Sequence, residues 1–243
     1  MNIFTNFFNT FLYQPLFNAL ILLYLYIPGH DFGVAVIALT IIIKLVLYPL
    51  AAKGIKAQKG ISALQPKIKE IQEKFKNDKE RQSKELLEFY KKEKVNPFSG
   101  CLPLVIQLPI LIALFRLFLN GFGAEKFQLL YSFVPNIENI NTIFLGFLDL
   151  SQPSIWLALI TGVAQFFQSK MIAPKTKKAD KNMPDFSQIM QKQMIYFLPI
   201  FTVFMLWRMP SAIGLYWLTT TVFTIIQQYI ILKKNVSGQS NQN

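Results

Sequence analysis

One cysteine, Cys101, and one histidine, His30, stand in a chain of 243 residues. The lone cysteine excludes an intrachain disulfide and a thiolate metal cage. The lone histidine, with few carboxylates, leaves little for general acid–base work. Acidic residues are scarce, 13 against 25 Lys and Arg, for a net charge of +12. Charged residues total 16%, where an ordinary soluble domain carries about 25%. No G-x-x-x-x-G-K-[ST], H-E-x-x-H or G-x-S-x-G occurs, so neither an enzyme nor a bound cofactor or metal is expected. Residues 1–12 hold no Lys or Arg, so no secretory leader is expected, and neither end shows a lipidation signal.

What fills the chain is apolar: 52% of residues, with 23 phenylalanines. A basic, greasy chain is either a membrane protein or a nucleic-acid binder. The lysines lie in blocks between long apolar runs, which is the membrane pattern, so no direct nucleic-acid partner is expected. A bilayer core of roughly 30 Å needs about 20 apolar residues in a helix. Five stretches come near that: 32–50, 102–119, 154–173, 194–207 and 212–232. The fourth is short, about 21 Å at 1.5 Å per residue.

The connections assign the sides. Segment 53–99 holds thirteen Lys/Arg and seven Asp/Glu, segment 174–193 is rich in lysine, and the final segment begins Lys233-Lys234. They alternate with poorly basic stretches: 1–31, charged only at Asp31, and 120–153. Positive charge inside then puts the N-terminus outside and the C-terminus in the cytoplasm of a multi-pass plasma-membrane protein. With flanking residues the spans are 32–52, 100–120, 154–173, 194–209 and 210–232. Between them lie an external loop, 121–153, and a cytosolic loop, 174–193; a short polar tail, 233–243, follows the last. Residues 7–28, broken by Pro15 and Asn18, read as an external interfacial helix within 1–31, with a sixth span as the alternative. Residues 56–76 carry Ile61, Leu64, Ile68, Ile71 and Phe75 on one face, Asn77-Asp78 turns the chain, and 80–94 offers Leu86, Leu87 and Tyr90 as a partner face. The whole of 53–99 is a cytosolic helical hairpin.

Lys44 lies inside the first span, and no Asp or Glu occurs in any of the five. An unpaired charge at the centre of a lipid-facing helix costs at least about 2.5–3.5 kcal/mol. Its ammonium either snorkels to the cytosolic headgroups or faces a wet pocket. Thr40 one turn earlier, Gln107, Gln165, Gln168, Thr219, Thr220, Thr221, Thr224, Gln227 and Gln228 together favour the pocket, although threonines alone bond back to their own helix and ordinary interhelical hydrogen bonds are the competing account for any one glutamine. Pro103 and Pro109 bend the second span. Trp207, Tyr216 and Trp217 flank the tight turn at 208–211, as an aromatic belt would. The absence of acidic groups from the spans argues against a proton-driven pump.

These residues resemble one family. Tyr13-Gln14-Pro15-Leu16-Phe17, Ile41 to Lys44 with Tyr48-Pro49-Leu50, Leu64-Gln65-Pro66-Lys67-Ile68, the run from Lys94 to Pro103 with Gln107-Leu108-Pro109, Asp149-Leu150-Ser151 and Ile225-Ile226-Gln227-Gln228 are similar to the core of YidC-type insertases. The resemblance covers 11–232 and is to the bacterial form without a large external domain. It implies an all-α integral membrane protein: five transmembrane helices around a hydrophilic groove open to cytosol and lipid, a cytosolic hairpin and an external amphipathic N-terminal helix. It implies a membrane protein insertase and foldase that takes nascent membrane proteins into the bilayer without nucleotide hydrolysis. Its partners would be those clients and the phospholipid membrane, with a Sec translocon and the ribosome as candidates. Lys44 matches the position where the family usually has arginine, and Tyr216 and Trp217 match its aromatic client-contact region. The expected groove residues are Lys44, Thr40, Gln107, Leu108, Pro109, Gln165, Tyr216, Trp217, Thr220 and Gln227. The competing function is a small anion transporter or channel built on Lys44.

Overall fold

The computed structural model describes residues 3–96, 102–119, 128–135, 137, 139–173 and 193–240, the side chains of 3, 4, 102–104, 106, 194 and 234–240 excepted. Cys101 and most of the lysine-rich loop 174–193 lie outside the described residues. Helix α1 (Ile3–Phe8) runs through a π-helical turn, Asn9–Tyr13, into α2 (Gln14–Tyr26). Then come α3 (Phe32–Val46), α4 (Tyr48–Lys74), α5 (Lys79–Lys92) and α6 (Leu102–Leu119). A two-stranded hairpin of β1 (Ile143–Phe144) and β2 (Leu148–Asp149) precedes α7 (Ile155–Ile172). A second π-helical turn, Gln193–Phe197, opens into α8 (Leu198–Leu206), and α9 (Ser211–Ser240) closes the chain.

By length and apolarity, residues 5–26, 155–172 and 211–233 each suffice to cross a membrane, and α3 with α4 could form a fourth, bent crossing. Residues 107–119 and 195–206 are shorter apolar helices. Several boundaries differ from those expected. Pro15 and Asn18 do not break the first helix. Pro15 sits in the first turn of α2, where its missing N–H is no loss. Asn18 is buried, and its amide donates to the carbonyls of Gln14 (2.8 Å) and Leu129 (3.0 Å) while its oxygen accepts from Tyr131 N–H (2.7 Å). The apolar stretch 32–50 is not one straight helix: α3 ends at Val46 and the chain bends by 68° into α4, with Pro49 in that helix's first turn. Asp78 caps α5 by accepting from Arg81 N–H (3.0 Å). On the expected hairpin face Ile68 is buried, but Leu87 is exposed; Gln82 takes part instead, donating to the Gln72 carbonyl (2.6 Å). The expected polar tail is helical to Ser240.

The β hairpin had no counterpart in the sequence reading. Its turn places Leu145 at φ 50° and Gly146 at φ 79°, the left-handed pair that suits a tight hairpin. Leucine rarely adopts that conformation; here Leu145 N–H donates to Asp31 Oδ2 (2.7 Å), while Asp31 Oδ1 caps α3 through Val34 N–H (3.0 Å). One carboxylate therefore joins the hairpin to the start of α3.

Bonds of this kind gather at one end of the helix bundle. Tyr24 Oη accepts from Asn141 N–H (3.0 Å), and Ala212 N–H donates to the Leu150 carbonyl (3.0 Å). The Ser211 hydroxyl donates to the Gln152 carbonyl (2.5 Å). Asp149 Oδ1 accepts from the Thr142 and Ser151 hydroxyls and from Ser151 N–H, which holds its carboxyl below the usual carboxylate range, Ser151 first. Phe144 lies so close to Gly33 that no Cβ fits there.

Burial changes along the bundle. Near this capped end Phe17, Phe32, Leu114, Leu117, Leu150 and Ile213 are buried, and the buried polar residues Asn18 and Ser211 are hydrogen-bonded. Toward the opposite end the buried side chains become polar: Thr40, Thr161, Gln165, Thr221, Gln227 and Gln228. Between helices in lipid, packing rests on close contact and small residues rather than on release of water. Gly162 of α7 supplies such a contact, abutting Val203 and Pro199 of α8.

Candidate functional site: a polar seam between α3, α6 and α9

Helix α9 carries Tyr216, Thr220, Thr224 and Gln227 at spacings of four, four and three, so they stack along one stripe about 16 Å long. Opposite the stripe lie α3 and α6. The Lys44 ammonium donates to the Thr224 hydroxyl (3.0 Å), which donates in turn to the Thr220 carbonyl (2.7 Å). The same ammonium stands 5.9 Å from the Phe223 ring centre, within cation–π range. Lys44 belongs to the last turn of α3, because α3 ends at Val46, yet it turns inward to α9. Among the described residues no carboxylate pairs with it.

Further along the stripe, Gln107 of α6 donates to the Tyr216 hydroxyl. At the other end Gln227 donates to the Tyr48 carbonyl (3.3 Å), at the bend between α3 and α4. Thus α9 touches the bend, the cation and α6 through one row of side chains. Gln165 of α7 is buried beside α9, and the side-chain oxygens of Gln165, Gln227 and Gln228 have no hydrogen-bond partner among the described residues. A buried amide oxygen left so costs about 1–3 kcal/mol unless water reaches it.

The other expected groove residues are placed differently. Thr40 is buried one turn before Lys44, but its hydroxyl donates to its own helix at the Val36 carbonyl (2.6 Å). Trp217 is half-buried, next to Tyr216 in α9. Leu108 and Pro109 lie on an exposed face of α6. Thr224, the direct partner of Lys44, was named among the polar groups of the last span but not in the expected groove set. The spacing 216, 220, 224 was the signal that would have included it. Arg116, exposed near the end of α6, was not singled out. Two hollows lie elsewhere: about 440 Å³ at the hairpin turn around Phe75 and Arg81, and about 210 Å³ at the capped end between Phe32, Phe118 and Leu150.

Apolar helices of spanning composition around buried polar groups define a multi-pass, all-α membrane protein. Residues 23–239 match the 60Kd inner membrane protein family, and the chain belongs to it. It is 36% identical over 226 residues to the membrane protein insertase YidC of Actinobacillus pleuropneumoniae and 37% identical over 227 residues to that of Wigglesworthia glossinidia brevipalpis. Both alignments cover 92% of this chain but only 37% of the relative, so the chain spans well under half of those proteins. The insertase YidC of Fusobacterium nucleatum is 34% identical over 204 residues, 84% of this chain and 87% of that protein.

Proposed function

We propose that this protein is a membrane insertase: it takes nascent membrane proteins into the bilayer through the seam between α3, α6 and α9, without hydrolysing a nucleotide. The observation that carries the reading is the gradient of burial. At its capped end the bundle is bonded shut and its buried polar groups, Asn18 and Ser211, are hydrogen-bonded, while Lys44 and the unpartnered oxygens of Gln165, Gln227 and Gln228 lie toward the other. A channel would need polar lining to both ends, and no finding favours the anion transporter or channel.

The charge pattern orients this frame with the capped end outside and the hairpin of α4 and α5 in the cytoplasm, where it would meet a ribosome or a Sec translocon. Although the helix over residues 5–26 is long enough to cross, its two ends favour an interfacial position. Phe8 lies against Arg116, three residues before the end of α6, and Tyr24 bonds the external loop. Two points about 24 Å apart along the rod therefore meet the same end of the bundle.

In this mechanism a client's polar or acidic tail enters beside Lys44 from the cytoplasm. The ammonium, the Thr224 hydroxyl and water drawn to the unpaired glutamine oxygens replace part of the tail's hydration, lowering the cost of the bilayer core. The client's apolar segment slides past the exposed faces of α6 and α9 into lipid, with a drive of roughly 25 cal/mol per Å². A potential negative inside adds about 2.3 kcal/mol per 100 mV for each negative charge moved outward. The helical stretch through α8, only about 21 Å long, thins the bilayer beside this path.

Insertion into proteoliposomes tests this. Lys44→Ala should slow a client with an acidic N-terminal tail by about tenfold, the equivalent of 1.4 kcal/mol. Lys44→Arg should retain activity, and a client with a neutral tail should be little affected. Equal insertion of the acidic client by wild type and Lys44→Ala would discard the role of the charge.

A further inference from the structure

Arg116 is a cation on a helix whose composition is otherwise that of a span. Its side chain is exposed, and its guanidinium sits 5.2 Å from the centre of the Phe8 ring. Among the described residues it has no hydrogen-bond acceptor and no carboxylate partner. The Phe8 ring lies within cation–π range of the guanidinium, and no described group accepts from its N–H fork, which matches the oxygens of a phosphate.

The surroundings are those of a surface that meets lipid. The helix over residues 5–26 contributes no charged group. One turn apart on it, the Phe7 and Phe11 rings meet at a tilt with centres 4.7 Å apart while staying 63% and 68% exposed. Tyr13, in the π-helical turn, is close enough to feel the Arg116 charge. Two aromatic rings directed outward beside an unneutralised guanidinium, near the end of a spanning helix, form an apolar prong next to a cation. Acyl chains would cover the prong, and the headgroup immediately above them would supply the missing anion.

We propose that Arg116 and Phe8, with the Phe7–Phe11 pair beside them, form a binding site for the phosphodiester of a phospholipid headgroup, and that the bound lipid fastens the N-terminal helix to α6. The site is separate from the Lys44 seam and independent of the insertase reading; it requires only that the end of α6 lie at a membrane surface.

Native mass spectrometry of the full chain in detergent tests it, with dioleoyl phosphatidylglycerol as the probe and a dioleoyl galactolipid as the phosphate-free control. The wild type should retain phosphatidylglycerol about fivefold better than Arg116→Gln, as for one exposed charge pair. Arg116→Lys should fall between them, since it keeps the charge and loses the fork. The galactolipid should not distinguish wild type from Arg116→Gln, and millimolar inorganic phosphate should not displace the bound lipid. Phe8→Leu, which removes the ring and keeps the charge, gives a second reading and should weaken retention by a smaller factor. Equal retention of phosphatidylglycerol by wild type and Arg116→Gln overturns the proposal. So does equal preference for the galactolipid, which would mean that only the acyl chains are held. Displacement by inorganic phosphate also overturns it, because the site would then belong to a free anion.

Discussion

Gly33 offers a test in which the sign of an effect, not only its size, is fixed by one contact. It occupies the first turn of α3, and a Cβ added there would lie 2.9 Å from Phe144 Cβ and closer still to that ring. Two opposed contributions follow for Gly33→Ala. Alanine is favoured over glycine in a helix by up to about 1 kcal/mol. Forcing the methyl against Phe144 costs about 1–3 kcal/mol, because the β hairpin is tied down by Asp31, Asp149 and the bonds to Ser211 and Ala212 and cannot simply lift. The single substitution should therefore lower the apparent unfolding temperature of the detergent-purified protein, by roughly 2–4 °C per kcal/mol lost. In a Phe144→Ala background the obstruction is gone and only the helical preference remains. There Gly33→Ala should raise the unfolding temperature relative to Phe144→Ala alone. Tryptophan fluorescence on heating the four proteins completes the cycle. If Gly33→Ala has the same effect in both backgrounds, Phe144 does not press on α3 and the described packing at the capped end is wrong.

Two further outcomes follow from the same geometry. Gln227→Leu removes the side-chain bond to the Tyr48 carbonyl and should cost about 1 kcal/mol of stability, while spin labels on either side of Leu47 should report a broader distance distribution. A distribution as narrow as in the wild type would show that Gln227 does not hold the bend. The Asp149 carboxyl, whose ordinary value is near 3.8, is held lower by Ser151 and Thr142. Its contribution is therefore complete above that ordinary value and disappears as pH falls through the lower folded-state value. The unfolding-temperature gap between wild type and Asp149→Asn should stay constant at neutral and mildly acidic pH and close only below about 3.8; a gap closing near pH 6 would contradict this.

How legible the molecule was in its sequence depended on whether the deciding signal was local. Helix α6 falls on the apolar stretch 102–119, which Asn96-Pro97 and the polar residues beyond Leu119 set off on both sides. The turn at Asn77-Asp78 was readable because Asp78 caps α5 with its own side chain. The bend within the first apolar stretch was hidden because residues 47–52 remain apolar after the axis has turned; Pro49, compatible with the first turn of a new helix, was the missed sign. The β hairpin was hidden because leucine at positive φ is unexpected and its compensating partner, Asp31, lies 114 residues away. In the seam, the polar stripe of α9 was visible from spacing alone. The seating of Lys44 on Thr224, 180 residues along the chain, depended on helix packing that no local pattern encodes.

The bend at Leu47 makes α4 a lever. Its 27 residues form an arm about 40 Å long, whose base is gripped by Gln227 beside the cation. A swing of about 10° there carries the far end of the arm by about 7 Å. Contact made at the distant tip is thereby geared down to sub-ångström adjustments where α3 meets α9.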